Sequence, residues 1–103
     1  MIYQGEIWWV EEPNDKPRPC LVITRNQALP LLTSIMVAPL SRTRRGIPTE
    51  IMMGPDDGVR VESVAAFDNL KTVHRSALTR RAGMLAPGRW HEVCDAMRAA
   101  INC

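Results

Sequence analysis

The spacing of apolar residues predicts two kinds of secondary structure along the chain. Short apolar or alternating runs bounded by turn residues are typical of β-strands. Seven such runs occur, at 5–10, 20–23, 35–40, 47–53, 63–67, 70–73 and 79–85. Near the end, Trp90, Val93, Cys94, Met97 and Ile101 follow the spacing of an amphipathic helix with a core-facing apolar stripe. The pattern therefore predicts a mostly β fold with helical cover (α+β), a small β-barrel with a C-terminal helix.

Prolines and turn residues refine this prediction. Residues 12–17 and 54–58 carry the Pro, Asn, Asp and Gly residues that favour turns, and 26–33 should be a loop or one helical turn. The run 20–23 is apolar without alternation, which indicates a strand buried on both faces. Pro39 should lie near a strand end or edge, and Pro87 fits the first position of the helix.

Length and composition bound the class of protein. A chain of 103 residues has room for one domain, predicted here as 1–103. Its 46% hydrophobic and 23% charged residues are ordinary for a globular protein. No apolar run approaches the roughly 18 residues of a membrane span, and no secretory signal precedes the first strand. We therefore expect a cytoplasmic protein without a membrane partner.

The residues that usually hold metals do not cluster. Cys20, Cys94 and Cys103 are an odd number with no CxxC pair, so idle thiols are expected rather than a disulfide framework or a zinc knuckle. No His, Cys or carboxylate group has metal-ligand spacing, so no metal and no cofactor are predicted. His74 and His91 are disfavoured as catalytic groups, because lone histidines are more often surface or structural residues.

The distribution of charge says more than the net charge of +2. Arg42, Arg44 and Arg45 lie within four positions of one another, and Arg75, Arg80 and Arg81 form a second group. A segregated basic face would suit a phosphate backbone. Arginines solvated for solubility explain the charge equally well.

Arg18 lies between two prolines, directly before the buried run 20–23. Flanking prolines stiffen the backbone, so the guanidinium is held ready for bidentate contact with an oxyanion. An arginine that caps a turn or pairs with a nearby acid is the stronger interpretation when this segment is taken alone.

Two further segments carry polar groups where strands end. The run 35–40 leads into a loop in which Ser41 and Thr43 offer hydroxyl groups beside the arginines, a combination that can grip phosphate oxygens. An Asp68-Asn69 pair interrupts two apolar runs, and such a pair usually makes a turn. Trp8 and Trp9 are adjacent and point to opposite faces of a strand, so one should enter the core while the other could stack on a base or fill a dimer interface.

Together these segments resemble the MazF/PemK toxins of type II toxin-antitoxin systems. The resemblance is carried, in order, by Gly5-Glu6-Ile7-Trp8, Arg18-Pro19 before an apolar strand, Pro39-Leu40-Ser41, and Ser63-Val64 leading to Asp68-Asn69. It implies an SH3-like β-barrel that forms a homodimer, is controlled by a MazE-like antitoxin and cleaves single-stranded RNA at short motifs without a metal. The implied reaction is attack by the neighbouring 2′-hydroxyl, which leaves a 2′,3′-cyclic phosphate and a 5′-hydroxyl.

The resemblance also implies roles for particular residues. Arg18 matches the catalytic arginine of the family, and Ser41 falls where the family usually carries a catalytic threonine, although Thr43 could take that place if the register shifts by two. Asp68 matches an acidic position that some members use in substrate binding or proton transfer, whereas the arginine that some members carry two positions earlier is here Ala66. The loop arginines Arg42, Arg44 and Arg45, together with Thr43 and Trp8, are the remaining candidates for RNA contact.

Two other functions remain open at this point. A CcdB-like inhibitor of DNA gyrase would use the same type of barrel without catalysis, but those toxins rely on a C-terminal tryptophan and this chain ends Ala-Ile-Asn-Cys. A degenerate barrel that only binds RNA or a protein is disfavoured by the presence of both Arg18 and Ser41. The general base is not assigned, because a guanidinium is a poor base at neutral pH.

Overall fold

The computed structural model describes residues 1–102, so the predicted idle thiol of Cys103 lies outside the described residues. The order of elements is seven strands followed by a helix. They are β1 (Glu6–Val10), β2 (Arg18–Val22), β3 (Ser34–Ser41), β4 (Glu50–Met53), β5 (Ser63–Ala66), β6 (Lys71–His74), β7 (Leu78–Met84) and α1 (Trp90–Ile101). The predicted mostly β fold with a C-terminal helix is confirmed.

The strands form one bent antiparallel sheet in the order β4-β5-β3-β2-β1-β7, with β6 also paired to β3. Strand β3 changes partner along its length. Its first half pairs with β6, and Leu40 and Ser41 pair with β5. Within residues 1–102 the end strands β4 and β7 are not hydrogen-bonded to each other, so the sheet curves like a barrel without closing.

All seven predicted strands are present, with shifted boundaries. Strand β2 begins at Arg18, two residues earlier than predicted, so the candidate arginine belongs to the sheet. Strand β4 begins at Glu50, three residues later than predicted. The backbone N–H groups of Arg45 and Gly46 donate to the Glu50 side chain at 2.9 and 3.1 Å, which holds the preceding segment in a loop.

The two proline predictions have different outcomes. Pro39 lies near the end of β3, where this strand passes from β6 to β5. The prediction for Pro87 is wrong, because α1 begins at Trp90 and Arg89 is its N-cap residue. Pro87 instead precedes Gly88, whose positive φ of 87° turns the chain before the helix begins.

Residues 20–22 of β2 are buried on both faces of the sheet, as their unbroken apolar run predicts. Leu21 belongs to a core that includes Val93 of α1. Cys20 and Val22 face a second apolar cluster on the other side of the sheet. Burial raises the pKa of the Cys20 thiol to about 11, so this cysteine stays protonated and unreactive at neutral pH.

A buried ion pair ties α1 to the turn after β4. Both Asp57 carboxylate oxygens accept hydrogen bonds from Arg89, at 3.0 and 2.9 Å, although Asp57 is only 2% exposed. The backbone N–H groups of Gly54 and Ala86 donate to the same carboxylate. The Arg89 guanidinium also binds Glu92 and, through that hydrogen bond, holds the pKa of the Glu92 carboxyl below its usual value.

The segment after β4 packs directly on the backbone of β7. A Cβ atom added at Gly83 would lie 2.2 Å from the Asp57 carbonyl oxygen, and one added at Gly58 would lie 2.9 Å from the Gly83 Cα. No side chain fits at either position without moving the backbone. These two glycines therefore fix the loop that follows Gly58 against the sheet.

In residues 1–102 no helix has the length and apolarity needed to cross a membrane.

Candidate nucleic-acid interface

A groove of about 880 Å³ crosses the molecule where β1, β2 and β7 meet the end of β3 and the loop after Gly58. Two of its apolar lining residues, Leu40 and Val59, belong to the same core cluster as Leu21 and Val93. Its lining residues are Trp9, Lys16, Pro17, Arg18, Pro19, Leu40, Ser41, Arg42, Gly58, Val59, Arg60, Val61, Ser63, Arg80 and Ala82. The groove is thus built from segments that are far apart in the sequence, between residues 9 and 82.

The groove is strongly basic. Five of its lining side chains are cationic, namely Lys16, Arg18, Arg42, Arg60 and Arg80, and among the described lining residues there is no aspartate or glutamate. None of the five forms an ion pair with a carboxylate of residues 1–102. Cations that lie together without counter-charges attract a polyanion such as a nucleic acid strand.

Arg18 and Ser41 line this same groove. Arg18 is the first residue of β2, opposite Val10 of β1, and the two prolines beside it line the groove as well. Pro19 pairs with Trp9 of β1, so the backbone that carries the guanidinium is part of the sheet. The sheet thus fixes the backbone position from which the Arg18 side chain reaches a ligand, and the planar guanidinium loses little freedom per hydrogen bond that it forms.

Ser41 is the last residue of β3, and its hydroxyl has a defined orientation. The Thr43 backbone N–H donates to the Ser41 Oγ at 3.1 Å. Because this bond uses an acceptor site of the oxygen, the hydroxyl hydrogen remains free to donate. Thr43 is not among the residues that line the groove, so the geometry favours Ser41 over Thr43 as the hydroxyl that meets a ligand beside Arg18.

The structure brings Trp9 to the groove and places Trp8 on the other face of β1. Trp9 pairs with Arg80 of β7, whose guanidinium lies 5.5 Å from the ring centroid, a distance that suits a cation–π contact. Trp8 packs against the second apolar cluster, and its indole N–H donates to Glu6 at 3.1 Å. Trp8, the tryptophan selected from the sequence, therefore does not line the groove within one chain.

The other sequence candidates lie on or beyond the loop after Ser41. Arg42 lines the groove, whereas Arg44 points toward Met52, with 3.4 Å between its Nη1 and the sulfur. Arg45 and Asp68 line a separate pocket of about 210 Å³. The structure thus joins Arg18, Ser41 and Arg42 in one site and gathers Arg45 and Asp68 in another.

Several groove residues were not among the site candidates chosen from the sequence. Lys16, Arg60 and Ser63 come from loops or strand starts, and their local sequence shows only charge or polarity. Arg80 belonged to a recognised basic group, but its neighbour Arg81 faces the other way and pairs with Glu6 at 2.9 Å. Alternation along β7 was the signal that could have shown that Arg80 and Arg81 lie on different faces, because successive side chains of a strand point to opposite faces.

The histidines lie elsewhere. The Nδ1 atom of His74 is 2.7 Å from the Ser76 hydroxyl, and that of His91 is 3.0 Å from the Gly88 carbonyl oxygen. Neither histidine lines the groove. In the described part of the chain no group of three or more His, Cys, Asp or Glu side chains is arranged to hold a metal ion.

A basic groove on a small bent β-sheet with a terminal helix suits a nucleic acid strand as its ligand. Residues 3–101 match the family model of the PemK-like, MazF-like toxin of type II toxin-antitoxin system. The chain is 37% identical over 101 residues to the "Probable endoribonuclease MazF2" of Mycobacterium tuberculosis, covering 97% of this chain and 98% of that protein. The "Probable endoribonuclease MazF5" of the same species is 34% identical over 97% of this chain and 93% of its own length. This protein belongs to the PemK/MazF toxin family.

Solved structures agree with this assignment. The Mycobacterium tuberculosis toxin MazF-mt6 superposes with a TM-score of 0.88 at 32% identity, covering 94% of this chain and 96% of that one. A mycobacterial endoribonuclease in complex with its cognate antitoxin has a TM-score of 0.88 over 99% of this chain and 96% of its own, at 22% identity. The second likeness shows the fold alone. The resemblance inferred from the sequence is confirmed.

Proposed function

We propose that this protein is a toxin that cleaves single-stranded RNA within the basic groove, with Arg18 and Ser41 acting on one phosphodiester. The observation that carries the proposal is that Arg18, which forms no ion pair within residues 1–102, and the Ser41 hydroxyl line the same cation-rich groove. The two relatives from Mycobacterium tuberculosis are named as endoribonucleases. This favours RNA cleavage over the gyrase-inhibitor alternative.

The proposed reaction is an internal transesterification. The 2′-oxygen of one nucleotide bonds to the adjacent phosphorus as its proton leaves, and the bond from phosphorus to the 5′-oxygen breaks as that oxygen gains a proton. The products are a 2′,3′-cyclic phosphate and a 5′-hydroxyl. Negative charge builds on the non-bridging oxygens of the phosphorane, and the Arg18 guanidinium can stabilise it by charge while Ser41 donates a hydrogen bond.

The remaining groove residues would hold the strand. Lys16, Arg42 and Arg60 can contact successive phosphates, and such contacts position a strand without reading its sequence. Trp9 offers a ring face on which a base could stack, and base–aromatic stacking is worth about 1–3 kcal/mol per base. Trp8 would contribute only indirectly, by packing the strand that carries Trp9.

The partners follow from the same proposal. The toxin would act in the cytoplasm as a homodimer and be silenced by a MazE-like antitoxin. An acidic antitoxin segment suits the groove, because it would supply the counter-charges that the five cations lack. The structure of a related endoribonuclease with its cognate antitoxin, named above, supports this type of partnership.

Incubation of the purified protein with a long single-stranded RNA in EDTA tests the proposal. We expect discrete cuts with cyclic-phosphate ends and 5′-hydroxyl ends, because the proposed groove chemistry needs no metal. Supercoiling inhibition of gyrase without RNA cuts would support the alternative instead. Binding of RNA without any cut would leave the groove as an RNA-binding surface and contradict the enzymatic proposal.

Replacement of Ser41 by alanine should slow cleavage by about 10²–10³-fold, the usual loss when one donor to a developing oxyanion is removed. Thr43→Ala is the matched control, because it removes a nearby hydroxyl that does not line the groove and keeps the backbone N–H. Single-turnover rates measure both variants. An unchanged rate for Ser41→Ala with a slow Thr43→Ala would move the catalytic hydroxyl to Thr43.

A further inference from the structure

The smaller pocket lies beside the groove along β5. It has a volume of about 210 Å³ and is lined by Arg45, Ile47, Thr49, Glu50, Ala66, Asp68 and Asn69. Pockets for drug-sized ligands usually hold about 300–1,000 Å³, so this one suits a single base. Ser63, at the start of β5, lines the groove, and Ala66, at its end, lines the pocket. Three residues of strand span about 10 Å, so the pocket and the groove lie about that far apart along β5.

Glu50 gives this pocket a buried acceptor without a hydrogen-bond donor. Its side chain is 5% exposed, and its Oε1 accepts the backbone N–H groups of Arg45 and Gly46. Its Oε2 is buried and accepts no hydrogen bond from any group of residues 1–102. The nearest cation is the Arg45 guanidinium at 3.8 Å, too far for a hydrogen bond. A buried carboxylate oxygen left in this way is energetically costly.

Two carboxylates, those of Glu50 and Asp68, line the pocket. Asp68 accepts the Thr49 hydroxyl on its Oδ2 at 2.6 Å, and Thr49 spends its only donor in that bond. Ionised carboxylates are acceptors only. A base that enters the pocket must therefore present hydrogen-bond donors to Glu50 and Asp68. An edge with carbonyl oxygens at the same positions would be repelled.

From this geometry we infer that Glu50, together with Asp68, selects a nucleobase bearing an exocyclic amino group over uracil at one position of the recognised RNA motif. Guanine, adenine and cytosine all carry an amino donor, and uracil carries none. The Arg45 side chain is 59% exposed and can move outward, so that the base donor takes its place beside the Glu50 Oε2. This inference rests on the proposed function and adds a specificity-determining pair to it.

Glu50→Gln is the most direct test, because glutamine keeps an oxygen for the two loop N–H groups and places a donor amide where Oε2 lies. Cleavage of RNAs that vary one base at a time should show that the wild type prefers amino bases to uracil at one position. A correct pairing is worth about 1–3 kcal/mol, or roughly 5–150-fold. In Glu50→Gln this ratio should fall to about one. Glu62→Gln, an exposed glutamate outside both pockets, is the matched control.

Asp68→Asn provides a second variant that leaves the Glu50 loop contacts in place, and it should weaken the same preference. Binding of uncleavable 2′-O-methyl oligonucleotides gives a readout that does not depend on catalysis. A ratio that stays constant at every position in both variants would overturn the inference while leaving the endoribonuclease proposal intact. Absence of both cutting and binding in the wild type would overturn the two together.

Discussion

Replacement of Arg18 by alanine is expected to slow RNA cleavage by about 10³–10⁵-fold. An arginine that stabilises charge on a reacting phosphoryl group contributes this much in other enzymes. The residue is exposed in the groove and forms no ion pair within residues 1–102. Its removal should therefore leave folding unchanged. Single-turnover cleavage of a defined RNA measures the loss, and thermal unfolding verifies that the variant is folded.

Two further variants test whether the loss of cleavage is specific to the Arg18 guanidinium. Arg25→Ala removes an exposed arginine that lines neither pocket, and it should cleave at the wild-type rate. Arg18→Lys keeps the charge and loses the planar fork, so its rate should fall between those of the wild type and Arg18→Ala. Normal cutting by a folded Arg18→Ala would remove Arg18 from the reaction.

Replacement of Arg89 by alanine is expected to destabilise the fold by about 3–5 kcal/mol, the cost of leaving a buried charge without its partner. Asp57, which is 2% exposed in the wild type, would keep only two backbone donors. The loop that follows Asp57 also forms one wall of the groove. Denaturant unfolding at one fixed protein concentration measures the loss, since assembly would make the apparent stability depend on concentration.

The destabilisation caused by Arg89→Ala should depend on pH in a direction that the ion pairs of Arg89 determine. Arg89 lowers the pKa of Glu92 from the ordinary 4.5, so this interaction stabilises the folded state above about pH 4.5 and is lost as the pH falls through the lowered value. The deficit of Arg89→Ala should therefore be largest near neutral pH and shrink in acid. Arg98→Ala, which breaks an exposed pair with Asp95 on the same helix, should change stability by less than about 1 kcal/mol. An equal loss of unfolding free energy in Arg89→Ala and Arg98→Ala would show that the contact of Arg89 with Asp57 stabilises the fold no more than an exposed ion pair does.

The number of strands and their approximate places in the sequence could be predicted, because each strand carries its own apolar pattern and is bounded by turn residues. Exact boundaries could not, since they depend on contacts between distant residues. The loop before β4 persists because Glu50 binds its backbone. The start of α1 depends on Arg89, which reaches Asp57 some thirty positions earlier in the chain. No local pattern encodes either contact.

The site was predictable where a short motif carried it. Arg18 and Ser41 were selected from the sequence, and they line one groove. The choice between Trp8 and Trp9 was not decidable, because neighbouring strand residues face opposite ways and only the fold shows which face meets the groove. Arg60 enters the site through the close packing of Gly58 on Gly83, a tertiary contact that composition does not reveal.

The most direct test of the account is a double-mutant cycle with Arg18→Lys and Ser41→Ala, measured by single-turnover cleavage of one RNA in EDTA. Groups that act on the same phosphate depend on each other, so the double variant should be less impaired than the product of the two single effects. A double variant whose loss equals that product would show that the two side chains act independently. It would contradict their assignment to a single reacting phosphodiester.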